Sequence, residues 1–315
     1  MKLDQSKFKG YEPNFINNNL TVALPKLNAE INNDIALFDQ FKNGIIPYHH
    51  YSVCLSQNRK FPFFTASNID GATFRSIKRE NDDWDTDDRI GGCQHGSKLY
   101  EAQNSNFDKG HMTKREDVQW GKNDTEALDA ALSTFYYTNA VPQHKDLNRA
   151  VWKSLEYYML HTEAVKHHQK ICVFTGPVLL NDDPNFQYEQ TTVQLPLHFW
   201  KVVFFTKNDN KLYRVGFVMS QQKLLKHDHV IKKNTIVKPH DPFMEFSLAS
   251  TYQVNVNFIE SVCQLSFQKA IDIYTKEESK ELIFSRTDIS PKNKIQKNIV
   301  SNEPQLDFEI LNISL

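Results

Sequence analysis

The 315-residue sequence has no excess of either charge: 37 Lys and Arg face 38 Asp and Glu, for a formal net charge of −1. That balance excludes a wholly cationic nucleic-acid binder, which holds its partner by bulk charge, but not a local basic groove. No stretch reaches the ~18 apolar residues that a membrane-spanning helix needs. The opening residues, MKLDQSKFKGYEPNF, lack the apolar core of a cleaved secretory signal. The expected location is therefore the cytoplasm, or outside the cell by an unconventional export route. The four cysteines, Cys54, Cys93, Cys172 and Cys263, form no C-x-x-C pair, which argues against a structural zinc ribbon. Cys172 sits in the apolar run ICVF and reads as a buried thiol. The acidic run DDWDTDD, residues 82–88, lacks the DxDxDG order of a calcium loop and reads as solvated. There is no internal repeat. What is present, 40% hydrophobic and 24% charged residues, is enough for a folded core and excludes global disorder.

The patterning predicts an α+β fold with a central, mostly antiparallel sheet flanked by helices. Residues 1–47 are Asn-rich and read as a leader packed on the core, with LPKL at 24–27 as an anchor. Residues 48–55 and 61–69 read as two strands in hairpin order, and 199–205 with 212–220 as a second hairpin. Residues 170–175 read as a strand, and the polar 71–107 as a long functional loop. A helix is expected from Thr125 to Tyr137, with Asp124 as its N-cap, and a longer one from Asp146 to about His168. The domain is expected to occupy 48–278. Beyond it, 279–315 divides into a polar linker and an alternating apolar end, LDFEILNISL, which adds a strand or docks on a partner.

The chemistry-bearing residues lie in Phe107-Asp108-Lys109-Gly110-His111-Met112 and in the segment from Thr138 to Glu156. Eight helical steps would put Asn148 and Glu156 about 80° apart in azimuth and ~12 Å apart along the axis. One ion cannot take both directly. The Asn148 carbonyl oxygen would bind it and Glu156 would hold its coordinated water, which suits Mg²⁺. His111 is a suitable general base near neutral pH, Gly110 permits a close backbone approach, and Asp108 is placed to fix the loop. Asn139 and Gln143 either line the cleft or brace the connection between the helices. Trp152 reads as a core anchor.

The ordered set FDKGHM, REDVQWG and FYYTNAVPQHKDLNRAVWKSLE resembles the DNA/RNA non-specific endonuclease family, the ββα-metal nucleases with a DRGH motif. WDTDDRI upstream, with VFTGPVL and LHFWKVVFF downstream, extends the resemblance to roughly residues 10–270. It implies a Mg²⁺-dependent endonuclease, Mn²⁺ substituting, that cuts DNA and RNA with little sequence selectivity and leaves 5′-phosphate ends. It implies His111 as general base, Asn148 as metal ligand, Glu156 as holder of metal-bound water and Asp108 as the residue that shapes the motif. A phosphate-contacting Arg is matched best by Arg79, with Arg75 and Arg89 as competitors. Lys109 stands where the family has Arg, keeping the charge but losing the planar fork. The alternative is therefore a weakened nuclease fold that only grips nucleic acid, through Lys109, Arg75, Arg89 and Gln143. An inhibitor or immunity protein is an expected partner, and homodimers occur in the family.

Overall fold

A computed structural model describes residues 3–79, 83–102, 107–231, 243, 246, 250–287 and 307–315. Side chains are described for all of these except 150, 151, 285–287 and 307–309. The frame is a nine-stranded sheet. Its strands are β1 (Ile45–Pro47), β2 (Tyr51–Leu55), β3 (Pro62–Asp70), β6 (Lys170–Pro177), β7 (His198–Thr206), β8 (Leu212–Ser220), β9 (Thr251–Val254), β10 (Ile271–Asp272) and β11 (Lys280–Glu281). In space the order is β11-β9-β8-β7-β6-β3-β2-β1, antiparallel throughout, with β10 added parallel to β8.

The central strands are buried on both faces, so they read as unbroken apolar runs rather than as alternation. In β6 and β7, Ile171, Val173, Phe199 and Val203 feed a core on one face, and Cys172, Phe174, Trp200 and Phe204 feed a second core on the other. Each large side chain buried this way contributes about 1.5–3 kcal/mol. Tyr11, Phe15 and Val22 of the N-terminal segment cover the second face together with Val256 and Ile259. Lys26–Leu27 pairs with Leu265–Ser266, so part of LPKL anchors through its backbone. Asp307–Ile310 pairs with Phe284–Thr287 of the same chain, which makes the alternating C-terminus an internal strand.

The first face carries the site. There β4 (Phe107–His111) and β5 (Ala140–His144) form an antiparallel ribbon, with α1 (Asp124–Ser133) between them in sequence. Next comes α2, a continuous helix of three parts, Leu147–Trp152, Lys153–Tyr157 and Tyr158–Val165. Its outer two parts have the wider π winding. Gln221 stitches the ribbon to the sheet: its amide accepts from His144 N–H (2.7 Å) and donates to the carbonyls of Pro142 (3.1 Å) and Pro196 (2.7 Å). The α1 cap is Asn123, one residue before the expected Asp124; its side chain accepts from Glu126 N–H at 2.9 Å. Among the described residues no helix is long and apolar enough to cross a membrane.

Candidate active site

Gly110 makes the ribbon possible. A Cβ there would overlap the Gln143 side chain, which lies across it from the neighbouring strand. Asp108 faces Gln143 in the register and His111 faces Ala140. Asn139 closes the turn after His111: its side chain accepts from Thr113 N–H (2.8 Å) and donates to the carbonyls of Thr113 (2.8 Å) and Thr134 (3.0 Å). Asn139 therefore braces the fold. Gln143 is also fully buried, so it packs on Gly110 and does not present itself to a ligand surface.

The His111 ring is flanked by Trp84 (centroids 4.5 Å apart) and by Phe135, edge-on at 4.9 Å. Trp84 is held there by the backbone of Asp85, which bonds to Phe135 O and Tyr137 N at 2.9 and 3.0 Å. Nε2 of His111 is enclosed and has no hydrogen-bond partner among the described residues. Burial, helped by the positive charges of Arg79, Arg115 and Lys114, pushes the imidazole down to about 3. The ring is thus neutral at any pH near 7.

Asp108 reaches from the same strand to α2. One carboxylate oxygen accepts from Asn148 Nδ2 (3.1 Å) and from Arg149 Nε (2.8 Å); the other accepts from Arg149 Nη2 (2.6 Å). Burial raises the Asp108 carboxyl, but the hydrogen bonds from Arg149 and Asn148 outweigh it and hold the group below its ordinary value. With its nitrogen so committed, the Asn148 amide offers its carbonyl oxygen to a cation. Glu156 follows on the same helix, and π winding, which turns less per residue than α, brings it nearer the azimuth of Asn148 than ideal α geometry allows. Glu156 is buried. Glu156 Oε1 is 3.5 Å from Lys201 Nζ and has no hydrogen-bond partner among the described residues. Two oxygen donors on one helix, one of them a buried carboxylate paired with Lys201, fit a hard divalent cation that keeps most of its waters.

The three candidate arginines separate. Arg79 stands 6.0 Å from the centre of the Phe135 ring and contributes to the field at His111. Arg75 is spent on Gly121 O, Lys122 O and Asp124 at 2.8–3.0 Å. Arg89 is clamped by Asp87 and Pro47 O and faces the Phe8, Phe41 and Tyr48 rings at 4.8–5.2 Å. Arg75 and Arg89 are thus engaged by partners within the protein, and Gln143 is fully buried. Lys109, opposite Pro142, is partly exposed on the ribbon. Of the acidic run, Asp82 lies outside the described residues, while Asp87 is fully buried rather than solvated.

With this geometry in hand, the sequence matches the DNA/RNA non-specific endonuclease family over residues 36–272. The chain belongs to that family. It is 33% identical over 223 residues to the uncharacterized protein y4fB of Sinorhizobium fredii, covering 68% of this chain and 33% of that protein. It is 28% identical over 149 residues to mitochondrial endonuclease G of Bos taurus, covering 45% of this chain and 47% of the relative. It is 25% identical over 182 residues to a nuclease of Serratia marcescens, covering 57% and 65%. The chain thus spans a third to two thirds of the length of these curated relatives. In fold it is similar to EndoG in the EndoG/EndoGI complex, with a TM-score of 0.52 at 23% identity, over 71% of this chain and 84% of that one.

The sequence pattern of this endonuclease-family chain missed a group of buried and half-buried charges beside the site. Lys114 pairs with Glu116 at 2.6 Å, and Lys201 donates to Thr175 Oγ1 at 2.9 Å while lying 5.0 Å over the Trp152 ring. Lys114 pulls Glu116 down to about 2, whereas burial lifts Asp117 to about 7 and raises Glu156. Arg149 was missed as well. The one available signal was composition: Lys201 is a charge inside the apolar run FWKVVFF, a placement rarely left unpaired.

Proposed function

We propose that this chain is a metal-dependent endonuclease that hydrolyses phosphodiester bonds of DNA and RNA without sequence selectivity, using Mg²⁺, with Mn²⁺ able to substitute. The observation that carries the reading is Asp108. From the strand that ends in His111 it holds the amide nitrogen of Asn148 and leaves that side chain's oxygen for a cation, which joins a neutral base to a cation ligand. Asn148 would hold the metal directly and Glu156 would hold its water. The metal would supply Lewis-acid stabilisation of the phosphate and of the leaving oxygen. His111 takes a proton from the attacking water. Arg79 adds charge at the phosphate, and Lys109 adds a point charge from the ribbon. Contacts of these kinds address the backbone and not the bases, so all sequences are cut.

The relatives named endonuclease G and nuclease support the activity, and the EndoG/EndoGI complex, in which EndoG is inhibited, supports an inhibitor protein as partner. A homodimer is a further proposal. The test is digestion of plasmid DNA and of RNA with a metal panel, comparing the natural chain with His111→Ala. Removing a general base costs about 10²–10⁴-fold in rate. Equal digestion by both proteins would sink the mechanism. Retained binding with no cleavage by the natural chain would instead make it a nucleic-acid-binding module.

A further inference from the structure

Besides Asn148 and Glu156, three other side chains, His49, His50 and Glu126, bring one ligand atom each within 4.8 Å of one another. The histidines lead into β2, and Glu126 is in the first turn of α1. Each side chain is prepared in a different way. Nδ1 of His50 bonds to the carbonyl of Val118 at 3.1 Å, and a carbonyl accepts only from an N–H, so the proton sits on Nδ1 and the lone pair on Nε2. This is the backbone hydrogen bond that orients metal-binding imidazoles in general. The ring is further fixed by stacking on Trp120, with centroids 3.4 Å apart, and by a left-handed backbone, φ 69°. One carboxylate oxygen of Glu126 accepts from Lys122 N–H at 2.7 Å, while the other lies 4.0 Å from His49 Nε2. His49 is buried, and its Nδ1 has no hydrogen-bond partner among the described residues.

Stacking accounts for His50, and helix capping accounts for Glu126. Neither accounts for a buried His49 turned toward both. We propose that His49, His50 and Glu126 form a second cation site, distinct from the candidate active site, that takes one transition-metal ion of the Zn²⁺ class. Two imidazoles and a carboxylate with an open fourth position are a zinc donor set, whereas hard Mg²⁺ prefers oxygen. Bonds of about 2.0–2.1 Å would draw the donors from within 4.8 Å to roughly 3.3 Å of one another, a contraction of up to about 1.5 Å. The ion would cross-link the start of β2 to α1, the helix after which Phe135 packs against His111.

The test uses the full chain stripped with a chelator, then titrated with Zn²⁺ under excess Mg²⁺ and with Co²⁺ as a spectroscopic probe. One Zn²⁺ per chain is expected to remain after desalting, and Co²⁺ is expected to show the visible bands of four-coordination. His49→Ala and the isosteric Glu126→Gln are each expected to weaken Zn²⁺ binding at least tenfold and to lose those bands. His111→Ala is expected to bind as the natural chain does, which separates this site from the candidate active site. Far-UV circular dichroism of the metal-free variants checks the fold, and His49→Gln replaces His49→Ala if the latter is unfolded. No retained Zn²⁺ in the natural chain, or unchanged binding in both folded variants, overturns the proposal.

Discussion

Asp108 shows how much a single carboxylate can organise. It draws an amide and a guanidinium from α2 onto β4, and the amide's orientation follows from that alone. For Asp108→Asn we expect the Asn148 oxygen to lose its fixed aim, raising the metal concentration for half-maximal activity by about 10–100-fold, as removal of groups behind metal ligands does. A metal titration of initial rates measures it, and an unchanged midpoint would contradict the role. The arginines give a second contrast. Arg89 is an inward charge in a closed pair, and breaking such a pair costs about 3–5 kcal/mol. Arg79 lies exposed beside the aromatic wall of His111. Arg89→Ala should lower the melting temperature strongly, while Arg79→Ala should lower kcat/KM with little thermal change. Both halves are read from one melting curve and one rate per variant.

At the scale of elements, the hairpin order of the central strands, both helices and the C-terminal strand were legible, because apolar runs and 3.6-residue spacing report burial directly. The ribbon β4–β5 was not. FDKGH has no alternation, and only the partner strand and the Gln221 amide make it a strand. The π winding of α2 was equally invisible, since no residue type marks it. Gly110 is the point where sequence and element meet. Gly110→Ala would force its Cβ into Gln143, and overpacking of this kind costs about 1–3 kcal/mol. Because the obstruction is one side chain, the double variant with Gln143→Ala should recover part of the loss relative to the sum of the single variants. Strict additivity in urea unfolding would refute the contact.

At the scale of the molecule, the sheet acts as a wall with two cores. On the face of the candidate site it gathers a set of buried and half-buried charges that no local pattern suggests: Lys114, Glu116, Asp117, Glu156 and Lys201 come from three distant segments. Burial lifts Asp117 to about 7. In the unfolded chain an aspartate has lost its proton by about pH 5. Between those values the folded state holds more protons, so this group's contribution to stability is full in acid and is lost as pH rises through about 7. Asp117→Asn, which cannot titrate, should therefore show a smaller fall in melting temperature from pH 5 to pH 8 than the natural chain. An equal fall in both would show that Asp117 does not carry it.

The sequence by itself determined the family and the hairpin order of the main strands, and it named His111, Asn148, Glu156 and Asp108 as candidates, because these rest on residue type and on short spacing along one chain. Arg79 was only the first of three candidates there. Its separation from Arg75 and Arg89, the burial of Gln143 and Glu156, and the charges gathered under α2 were decided by tertiary structure alone. The physical reason is that a charged side chain's role depends on which partners reach it and on how much water is left around it. Those partners lie tens of residues away, where no spacing rule connects them.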